Sequence, residues 1–589
     1  MNHIPRPEHP RPQFYRESWL NLNGTWDFLF DFGNTGVERE LHLDENFDRC
    51  SVQPITVPFC PESTLSGIGY TDFISAVWYR RRFTLIDAQR TGRVILHFGA
   101  VDYRCTVWIN GQKAGDHTGG YSSFEFDITG LVCSGENTVT VYAEDDLRSE
   151  TQPFGKQSNR YHSYACSYTR TTGIWQTVWL EFVPEHYIKS AKITPLVDEH
   201  KVLIQLQTSG GSNVCAAARF DGEPMGCTEA PVTCGNAVLM LDLHQLHLWD
   251  VGQPNLYDLT LTLDGGDCVQ SYFGMRKVEL FADGLHLNGR PVFLRTILDQ
   301  GFNPDGIYTG PSDEFLKHDI ELTMDLGFNG ARLHQRVFEE RTLYWADQLG
   351  YLVWGEYANG SMVSDGRGIG YFLPEWMEVL NRDYSHPSII GWCPFNESYW
   401  SHDIDGICQQ VVYDMTKTAD PYRPVIDASG GLHVVTDMFD IHDYEQDPSV
   451  LEQSLAPMLE DPTYIHNPLH NNVLARHRYG GQPYWISEYG GTFWNPELVS
   501  AGIPGKEAWG YGNAPRTEEE FAARYEGLTT VLLKCPRVCG LCYTQLTDVE
   551  QEQNGLYRYD RSRKFSDFVY DRIRKANQQI AAIEQEVRK

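Results

Sequence analysis

The amino-acid sequence predicts a multidomain protein: an N-terminal jelly-roll β-sandwich, an immunoglobulin-like β-sandwich and a C-terminal (β/α)8 TIM barrel. A chain of 589 residues is longer than one ordinary domain. Before Leu280, apolar and polar residues alternate with the period of half-buried strands. After Leu280, the pattern changes to a strand followed by a helix, repeated eight times, which is the repeat count of that barrel. The predicted domains are residues 1–184, 185–278 and 279–589.

The first predicted domain begins with an extended arm and continues as β-strands. Its first twelve residues include four prolines, a composition typical of an arm that runs over the surface. Residues alternate in Val94–Phe98 and Thr138–Tyr142, and the pair Asn110-Gly111 is a strong hairpin signal. Because no amphipathic helix interrupts these strands, the segment predicts a jelly-roll sandwich.

The second predicted domain is a shorter run of strands. Val202–Leu206 and Leu259–Leu263 alternate, and the glycine pairs 210–211 and 265–266 mark turns between strands. About ninety residues of short strands are typical of an immunoglobulin-like sandwich.

The third predicted domain alternates strands and helices. Its strands are predicted at Val292–Leu298, Gly330–Leu333, Leu352–Gly355, Ile389–Pro394, Val425–Asp427, Asp440–His442, Tyr484–Ser487 and Gly540–Thr544. Intervening helices are predicted at Ser312–Leu326, Glu339–Leu349 and Thr517–Leu533, with a closing helix from Phe565 to the end.

Composition narrows the class of partner. Hydrophobic residues make up 41% and charged residues 22%, which is typical of a globular chain. The formal net charge of −31 argues against nucleic acid or an anionic membrane as a partner, because both require an excess of Lys and Arg. No apolar run resembles a signal peptide or a spanning helix, so we expect a cytoplasmic protein. The 14 Cys are scattered and expected to be reduced; Cys535 and Cys539 lack the second ligand pair of a metal site.

Two glutamates follow barrel strands on opposite sides of the barrel axis. Glu397 follows the fourth predicted strand in Asn396-Glu397, and Glu488 follows the seventh in Ser487-Glu488. Active sites of such barrels lie at the carboxyl ends of the strands. Two carboxyl groups facing each other are the requirement for glycoside hydrolysis, with one protonated and one ionised. We therefore expect a glycosidase site, and burial beside a second carboxylate predicts a raised pKa for Glu397.

The motifs around these glutamates resemble those of glycoside hydrolase family 2, the family of β-galactosidases, β-glucuronidases and β-mannosidases. Asp383–Trp392 followed by Asn396-Glu397 resembles its acid/base motif. Three further segments resemble its sugar-binding domain: Trp78–Phe83, Val107–Gly111 and Gly173–Trp175. The resemblance covers essentially the whole chain. The resemblance implies that Glu397 is the acid/base and Glu488 the nucleophile.

The resemblance also implies roles for further residues at the strand ends. Asn396 would donate to the sugar 2-hydroxyl, and Tyr444 would hydrogen-bond the nucleophile. The remaining residues expected to bind substrate are Asp299, Gln300, Arg332, His334, Arg336, Glu356, His442, Trp494, Tyr168 and Arg170.

Two departures from the family pattern bear on the substrate and on cofactors. The family's β-glucuronidases grip the substrate carboxylate with an Asn-x-Lys motif, which this chain lacks; Gln551–Leu556 stands at the matching place. Familiar β-galactosidases bind Mg²⁺ through Glu-x-His after the third strand, where this chain has Glu356-Tyr357-Ala358. We therefore expect a metal-independent enzyme with no cofactor.

The sequence leaves several functions open. The main expectation is a retaining exo-β-glycosidase whose carbohydrate substrate is a β-galactoside. The sequence leaves open whether the protein forms a homo-oligomer. The alternative is a β-hexuronidase, specific for galacturonides or an atypical β-glucuronidase, in which Arg332, Arg336 or Arg170 binds the carboxylate. More distant alternatives are a non-catalytic carbohydrate-binding protein, a transglycosylase and a hydrolase with a Cys nucleophile. A metal hydrolase is a further alternative, with His334, Glu356 and His442 as its candidate ligands.

Overall fold

The computed structural model of the chain describes residues 4–360, 366–398, 406–468, 479–495, 497 and 508–585. None of the helices in these segments combines the length and apolarity that a membrane span requires.

The N-terminal region is a β-sandwich, as the alternating pattern predicts. Its main sheets have the strand orders β1-β12-β5-β9 and β3-β2-β4-β10-β7-β8, and β6 pairs with β11. The elements are β1 (Trp19–Asn21), β2 (Gly24–Phe30), α1 (Asp44–Phe47), β3 (Gln53–Val57), β4 (Ala76–Leu85), β5 (Arg93–Phe98), β6 (Val101–Asp102), β7 (Arg104–Ile109), β8 (Gln112–Thr118), β9 (Phe124–Asp127), β10 (Gly135–Glu144), β11 (Gly173–Ile174) and β12 (Val178–Val183). Val77 and Tyr79 of β4 share one core with Leu96 and Phe98 of β5, which joins the two sheets.

The second region is a smaller sandwich of two antiparallel sheets. The sheets have the orders β13-β14-β17 and β16-β15-β18-β19. The strands are β13 (Ile188–Leu196), β14 (Lys201–Thr208), β15 (Asn213–Phe220), β16 (Glu223–Pro231), β17 (Asn236–Asp242), β18 (Leu256–Leu263) and β19 (Cys268–Gly274). Its core includes Ile204 of β14 and Leu261 of β18, both at inward-facing positions of the alternation.

The C-terminal region is the expected parallel barrel. Seven strands form one curved sheet in the order β26-β25-β24-β23-β31-β30-β29. The strands are β20 (Val278–Phe281), β21 (Gly284–Leu287), β22 (Arg290–Pro291), β23 (Leu294–Asp299), β24 (Gly330–Leu333), β25 (Leu352–Glu356), β26 (Ile389–Cys393), β27 (Phe395–Asn396), β28 (Ala428–Ser429), β29 (Phe439–Asp443), β30 (Tyr484–Gly490) and β31 (Val538–Thr544). β20–β22 form a separate small antiparallel sheet that contacts β31 through β21.

The fifth barrel strand differs from its predicted bounds. The backbone of Trp392 pairs with Pro424 and Ile426 at 3.0 and 2.9 Å, and β28 then pairs with β27. Pro394 of the neighbouring chain segment lies between these contacts, and it has no N–H with which to continue the ladder. The predicted strand Val425–Asp427 is therefore a bridge followed by a two-residue strand.

The helices follow the predicted bounds to within one or two residues, except at the end of the chain. Ser312 and Thr517 cap α2 and α8 by accepting from backbone N–H groups, as their sequence predicts. The helices are α2 (Asp313–Asp325), α3 (Glu340–Leu349), α4 (Gly366–Asp383), α5 (Ile407–Ala419), α6 (Pro448–Leu455), α7 (Pro457–Glu460), α8 (Glu518–Lys534) and α9 (Asp567–Asn577). The closing helix α9 ends at Asn577, and the last four residues of its predicted range lie outside the described residues.

A loop of the first sandwich, residues 154–170, lies on the carboxyl end of the barrel. The Gly155 N–H donates to the Ala358 carbonyl oxygen at 2.9 Å, just after β25. Tyr168 of the same loop donates its hydroxyl to Glu552, in the segment after β31, at 2.5 Å. The barrel mouth is thus bounded partly by the first domain.

Candidate active site

The structure brings Glu397 and Glu488 together at the barrel mouth. Glu397 directly follows β27, and Glu488 lies in β30. One oxygen of each carboxylate and a ring nitrogen of His442 all lie within 4.8 Å of one another. Glu397 has a left-handed backbone conformation (φ 44°), and its side chain is 42% exposed to solvent. Such a conformation is uncommon outside glycine and is found preferentially at functional sites.

Two donors hold the carboxylate of Glu488. Arg332 Nη1 donates to Glu488 Oε1 at 3.0 Å, and the Tyr444 hydroxyl donates to Oε2. The guanidinium of Arg332 is itself fully buried and bonded through Nε to Glu356 Oε1 at 2.5 Å. Charge-assisted bonds of this kind are strong and fix the orientation of the carboxylate. Glu488 is therefore arranged as a nucleophile would be.

Glu397 is paired with His442, which the sequence did not predict as its partner. His442 Nδ1 lies 2.7 Å from Glu397 Oε1, and Nε2 lies 3.3 Å from Glu488 Oε1. Burial alone would raise the pKa of Glu397, but the hydrogen bond and positive charge of His442 outweigh burial and lower it to about 2. Burial would lower the pKa of His442, but the attraction of Glu488 and Glu397 raises it. His442 thus lowers the pKa of Glu397 in the ligand-free site, which is opposite to the raised pKa that the sequence predicts.

Asn396 offers an unused donor beside the glutamates. Its side-chain oxygen accepts from Arg332 Nη2 at 3.1 Å, while its buried amide nitrogen has no hydrogen-bond partner among the described residues. A buried donor without a partner is costly unless a ligand satisfies it. The position suits the donor to a sugar hydroxyl that the sequence predicts.

His334 and Glu356 also lie beside the pair, as the strand ends predict. His334 Nδ1 lies 3.2 Å from Glu356 Oε2 and 3.8 Å from Glu488 Oε1. Burial, followed by the nearby charge of Lys156, keeps the pKa of His334 well below its usual value. Its imidazole is therefore neutral and available to hydrogen-bond a ligand.

Arg170 and Arg336 donate mainly to backbone carbonyl oxygens. Arg170 donates to the carbonyl oxygens of residues 71, 158, 160 and 161 and stacks on Phe73. Arg336 donates to the carbonyl oxygens of Gly301 and Tyr308. The Nε of each arginine is buried without a hydrogen-bond partner among the described residues, and the expectation that an arginine binds a substrate carboxylate stays a prediction.

The other predicted residues occupy different surroundings. Asp299 accepts from Gly301 and lies in a small cavity with Asp319 of α2, where burial raises its pKa to about 6. Gln300 is buried with its amide oxygen unpartnered among the described residues. Trp494 packs against Phe521 and Phe565, so it closes a loop rather than offering a free face.

Two residues near the pair carried no recognisable sequence signal. Lys156, in the loop of the first sandwich, lies within electrostatic range of Glu397, Glu488 and Glu552. Glu552 stands in the segment where Asn-x-Lys was sought, and it accepts from Tyr168 and from Asn554 at 3.0 Å. Lys156 could have been found only by knowing that residues 154–170 cover the barrel mouth.

Glu397, His442 and Glu488 present a geometry that could hold a metal ion. In this structure, Glu397 Oε1 is paired with His442, and the two oxygens of Glu488 accept from Arg332 and Tyr444. Metal independence stays a prediction of the sequence.

Family models match most of the chain. The sugar binding domain of the glycosyl hydrolases family 2 matches residues 20–180, a second glycosyl hydrolases family 2 model matches residues 186–276, and the family's TIM barrel domain matches residues 278–500. The three matches follow one another in the order of the three observed regions.

Individual relatives are distant in sequence and similar in fold. The β-glucuronidase of Rattus norvegicus is 26% identical over 448 residues, covering 69% of this chain and 67% of that protein. A β-galactosidase of Leuconostoc mesenteroides is 25% identical over 468 residues, covering 70% of this chain but only 42% of the relative. A β-glucuronidase structure from Ruminococcus gnavus in complex with D-glucuronic acid superposes with a TM-score of 0.78 at 20% identity, covering 98% of this chain and 100% of that one.

Proposed function

This chain belongs to glycosyl hydrolase family 2, and from that premise we propose that it is a retaining exo-β-glycosidase. The observation that supports the mechanism is the approach of one Glu397 oxygen to within 4.8 Å of one Glu488 oxygen. Retaining enzymes separate these carboxyl groups by about 5–5.5 Å, whereas inverting enzymes need about 6.5–9.5 Å to admit a water.

The proposed reaction has two steps. Glu488 attacks the anomeric carbon while Glu397 gives a proton to the departing oxygen, which forms a covalent glycosyl-enzyme and frees the aglycone. A water then gives its proton to Glu397 and attacks the anomeric carbon, which restores Glu488 and releases the sugar. Asn396 and His334 are placed to hydrogen-bond sugar hydroxyls during both steps.

His442 supplies the proton that Glu397 needs in the first step. In the free site the proton lies on His442 Nδ1, 2.7 Å from Glu397 Oε1. A bound sugar displaces water from Glu397, and the loss of solvation favours the neutral acid. Transfer along the existing hydrogen bond then leaves a neutral imidazole and a protonated Glu397.

For the substrate, we propose a terminal β-hexuronide rather than the β-galactoside expected from the sequence. Relatives named β-glucuronidases, including the Ruminococcus gnavus structure that covers 98% of this chain, support this choice. A β-galactoside remains the second candidate because β-galactosidases are also among the relatives. We do not assign the carboxylate to Arg170 or Arg336, since most of their donors already bind backbone oxygens.

The test is a panel of nitrophenyl glycosides with the β-glucuronide, β-galacturonide, β-galactoside, β-mannoside and α-arabinoside. We expect the highest kcat/KM on one of the two uronides. Higher kcat/KM on the β-galactoside would refute the uronide assignment and leave the glycosidase mechanism intact. An NMR spectrum of the first-formed sugar showing inverted configuration would refute the retaining mechanism.

A further inference from the structure

The backbone of Lys156 is fixed at the barrel mouth by contacts on both sides. Gly155 donates its N–H to Ala358 of the barrel at 2.9 Å, and Lys156 accepts from the Tyr168 N–H at 2.7 Å. The next residue, Gln157, donates its amide to Asp102 at 2.7 Å and accepts from the Thr171 N–H at 2.7 Å. These bonds hold the turn that carries Lys156 in one position against the barrel.

The ammonium of Lys156 is charged and has no partner among the described residues. It makes neither a hydrogen bond nor an ion pair with them, although it is partly buried. Burial opposes its charge, but attraction by Cys166, Glu552, Glu397 and Glu488 raises its pKa above the usual value. A partly buried ammonium without a partner gains from binding an anion.

Most carboxylate oxygens around Lys156 are already bonded to other donors. Both oxygens of Glu552 are used, one by Tyr168 and one by Asn554. Glu397 is bonded to His442, and Glu488 to Arg332 and Tyr444. The ammonium donors of Lys156 therefore remain available to a ligand that enters the mouth.

We propose that Lys156 binds the carboxylate of the β-hexuronide, so that a residue of the N-terminal sandwich selects the sugar cleaved in the barrel. This inference rests on the proposed uronide function. A uronic acid differs from the neutral hexose in carrying a carboxylate on C5, which is joined to the anomeric carbon through the ring oxygen. When the anomeric carbon lies between Glu397 and Glu488, that carboxylate therefore stays near the glutamates on which the charge of Lys156 acts.

The decisive variant is Lys156→Met, which keeps the side-chain length and removes the charge. We expect the ratio of kcat/KM on nitrophenyl β-glucuronide or β-galacturonide to kcat/KM on nitrophenyl β-galactoside to fall about 10- to 100-fold, the range of one charge-assisted hydrogen bond. Lys156→Arg keeps the charge and should retain most of the ratio. Lys113→Met removes an exposed lysine of β8 that pairs with Asp116, and it should leave the ratio unchanged.

Inhibition by the free sugars gives an independent readout. D-glucuronate should inhibit the unmodified enzyme more strongly than D-glucose does, and Lys156→Met should remove that difference. Thermal melting of each variant shows whether the fold is retained.

Failure of this inference is distinguishable from failure of the proposed function. If the unmodified enzyme prefers a uronide and Lys156→Met keeps that preference, the Lys156 assignment is wrong and the uronide function stands. If Lys156→Met slows every substrate by the same factor, Lys156 acts through the catalytic glutamates and the assignment is wrong. If the unmodified enzyme cleaves only neutral sugars, the uronide function is wrong and the Lys156 assignment fails with it.

Discussion

In the proposed mechanism, Glu397 has two chemical roles that are separable by the choice of leaving group. As acid, it is needed most when the departing oxygen is a poor leaving group. Glu397→Gln should lower kcat/KM on alkyl or natural glycosides by about 10²- to 10⁴-fold. On dinitrophenyl glycosides, whose leaving group needs no proton, kcat/KM should fall little. Glu488→Gln is the control, because loss of the nucleophile slows both kinds of substrate; equal losses for Glu397→Gln would contradict its assignment as acid.

His442 should set the alkaline limb of the pH profile. Below its raised pKa, the His442–Glu397 pair holds the proton that the reaction needs; as pH rises through that pKa, the proton is lost and kcat/KM falls. Glu488 and Arg332 also face His442, and their opposite effects leave the pKa raised. In His442→Gln the proton must reside on Glu397 alone, so the limb should move to lower pH by about 1–2 units.

The pH dependence of kcat/KM measures this shift directly. His318→Gln, an exposed position on α2, is the matched control and should leave the profile unchanged. An unchanged alkaline limb in His442→Gln would show that another group holds the proton.

Removal of metal ions tests whether Glu397, His442 and Glu488 hold a catalytic metal ion. Because Glu397 is already paired with His442, and Glu488 with Arg332, we expect dialysis against EDTA to leave kcat/KM unchanged. Loss of activity that returns with Mg²⁺ or Zn²⁺ would show that the cluster holds a catalytic metal.

Among individual residues of the candidate site, the sequence predicted those that follow barrel strands and missed Lys156, which a loop of the first sandwich contributes. Glu397 and Glu488 were predictable because parallel strands deliver their carboxyl ends to one face. Lys156 was not, because its position depends on how a loop of another domain packs on the barrel. Arg170 and Arg336 lie in the expected region, but the direction of a long side chain depends on backbone acceptors that a sequence does not display.

Among the elements, the turn at Gly155 couples the sandwich to the barrel. Gly155 has a left-handed conformation (φ 58°), and a Cβ there would lie 2.5 Å from the Gln335 carbonyl oxygen. Gly155→Ala should therefore shift the turn that carries Lys156 and lower uronide kcat/KM about tenfold or more.

Gly252→Ala is the matched control for that variant. Gly252 has a similar φ of 64° and no atom within 4 Å of an added Cβ. Both variants incur the strain of a left-handed alanine, about 1–2 kcal/mol, and Gly155→Ala adds the clash with Gln335, so it should lower the melting temperature further. Equal kcat/KM in the two variants would show that the turn does not position the site.

The barrel strands were predictable where apolar runs are buried on both faces, as in β26 and β30. The fifth strand was misplaced by a few residues because Pro394, on the strand beside it, cannot donate the next backbone hydrogen bond of the ladder. The hydrophobic pattern of residues 425–427 carries no information about this gap in a neighbouring strand. Helix starts were accurate where a capping side chain is present, as at Ser312 and Thr517.

For the whole molecule, the net charge of −31 predicts a dependence of the rate on salt. An anionic uronide is repelled at long range, and the screening length shrinks from about 30 Å at 0.01 M salt to about 8 Å at 0.15 M. We expect kcat/KM on the β-glucuronide to rise severalfold over that range, since the partly buried Lys156 is screened less than surface charges. The nitrophenyl β-galactoside is the uncharged control and should respond little; a fall in uronide kcat/KM with salt would contradict this expectation.

The hydrogen bond between Gly155 and Ala358 joins two domains that contribute different things to one pocket. In the proposed mechanism, the barrel holds the groups that break the glycosidic bond, and the sandwich supplies the positive charge of Lys156 beside them. Substrate specificity can therefore change through substitutions in one loop of the sandwich, while the residues that break the glycosidic bond remain the same. Homologues with the same barrel glutamates need not cleave the same substrate. Comparing their loops at residues 154–170 is a direct way to group them by substrate.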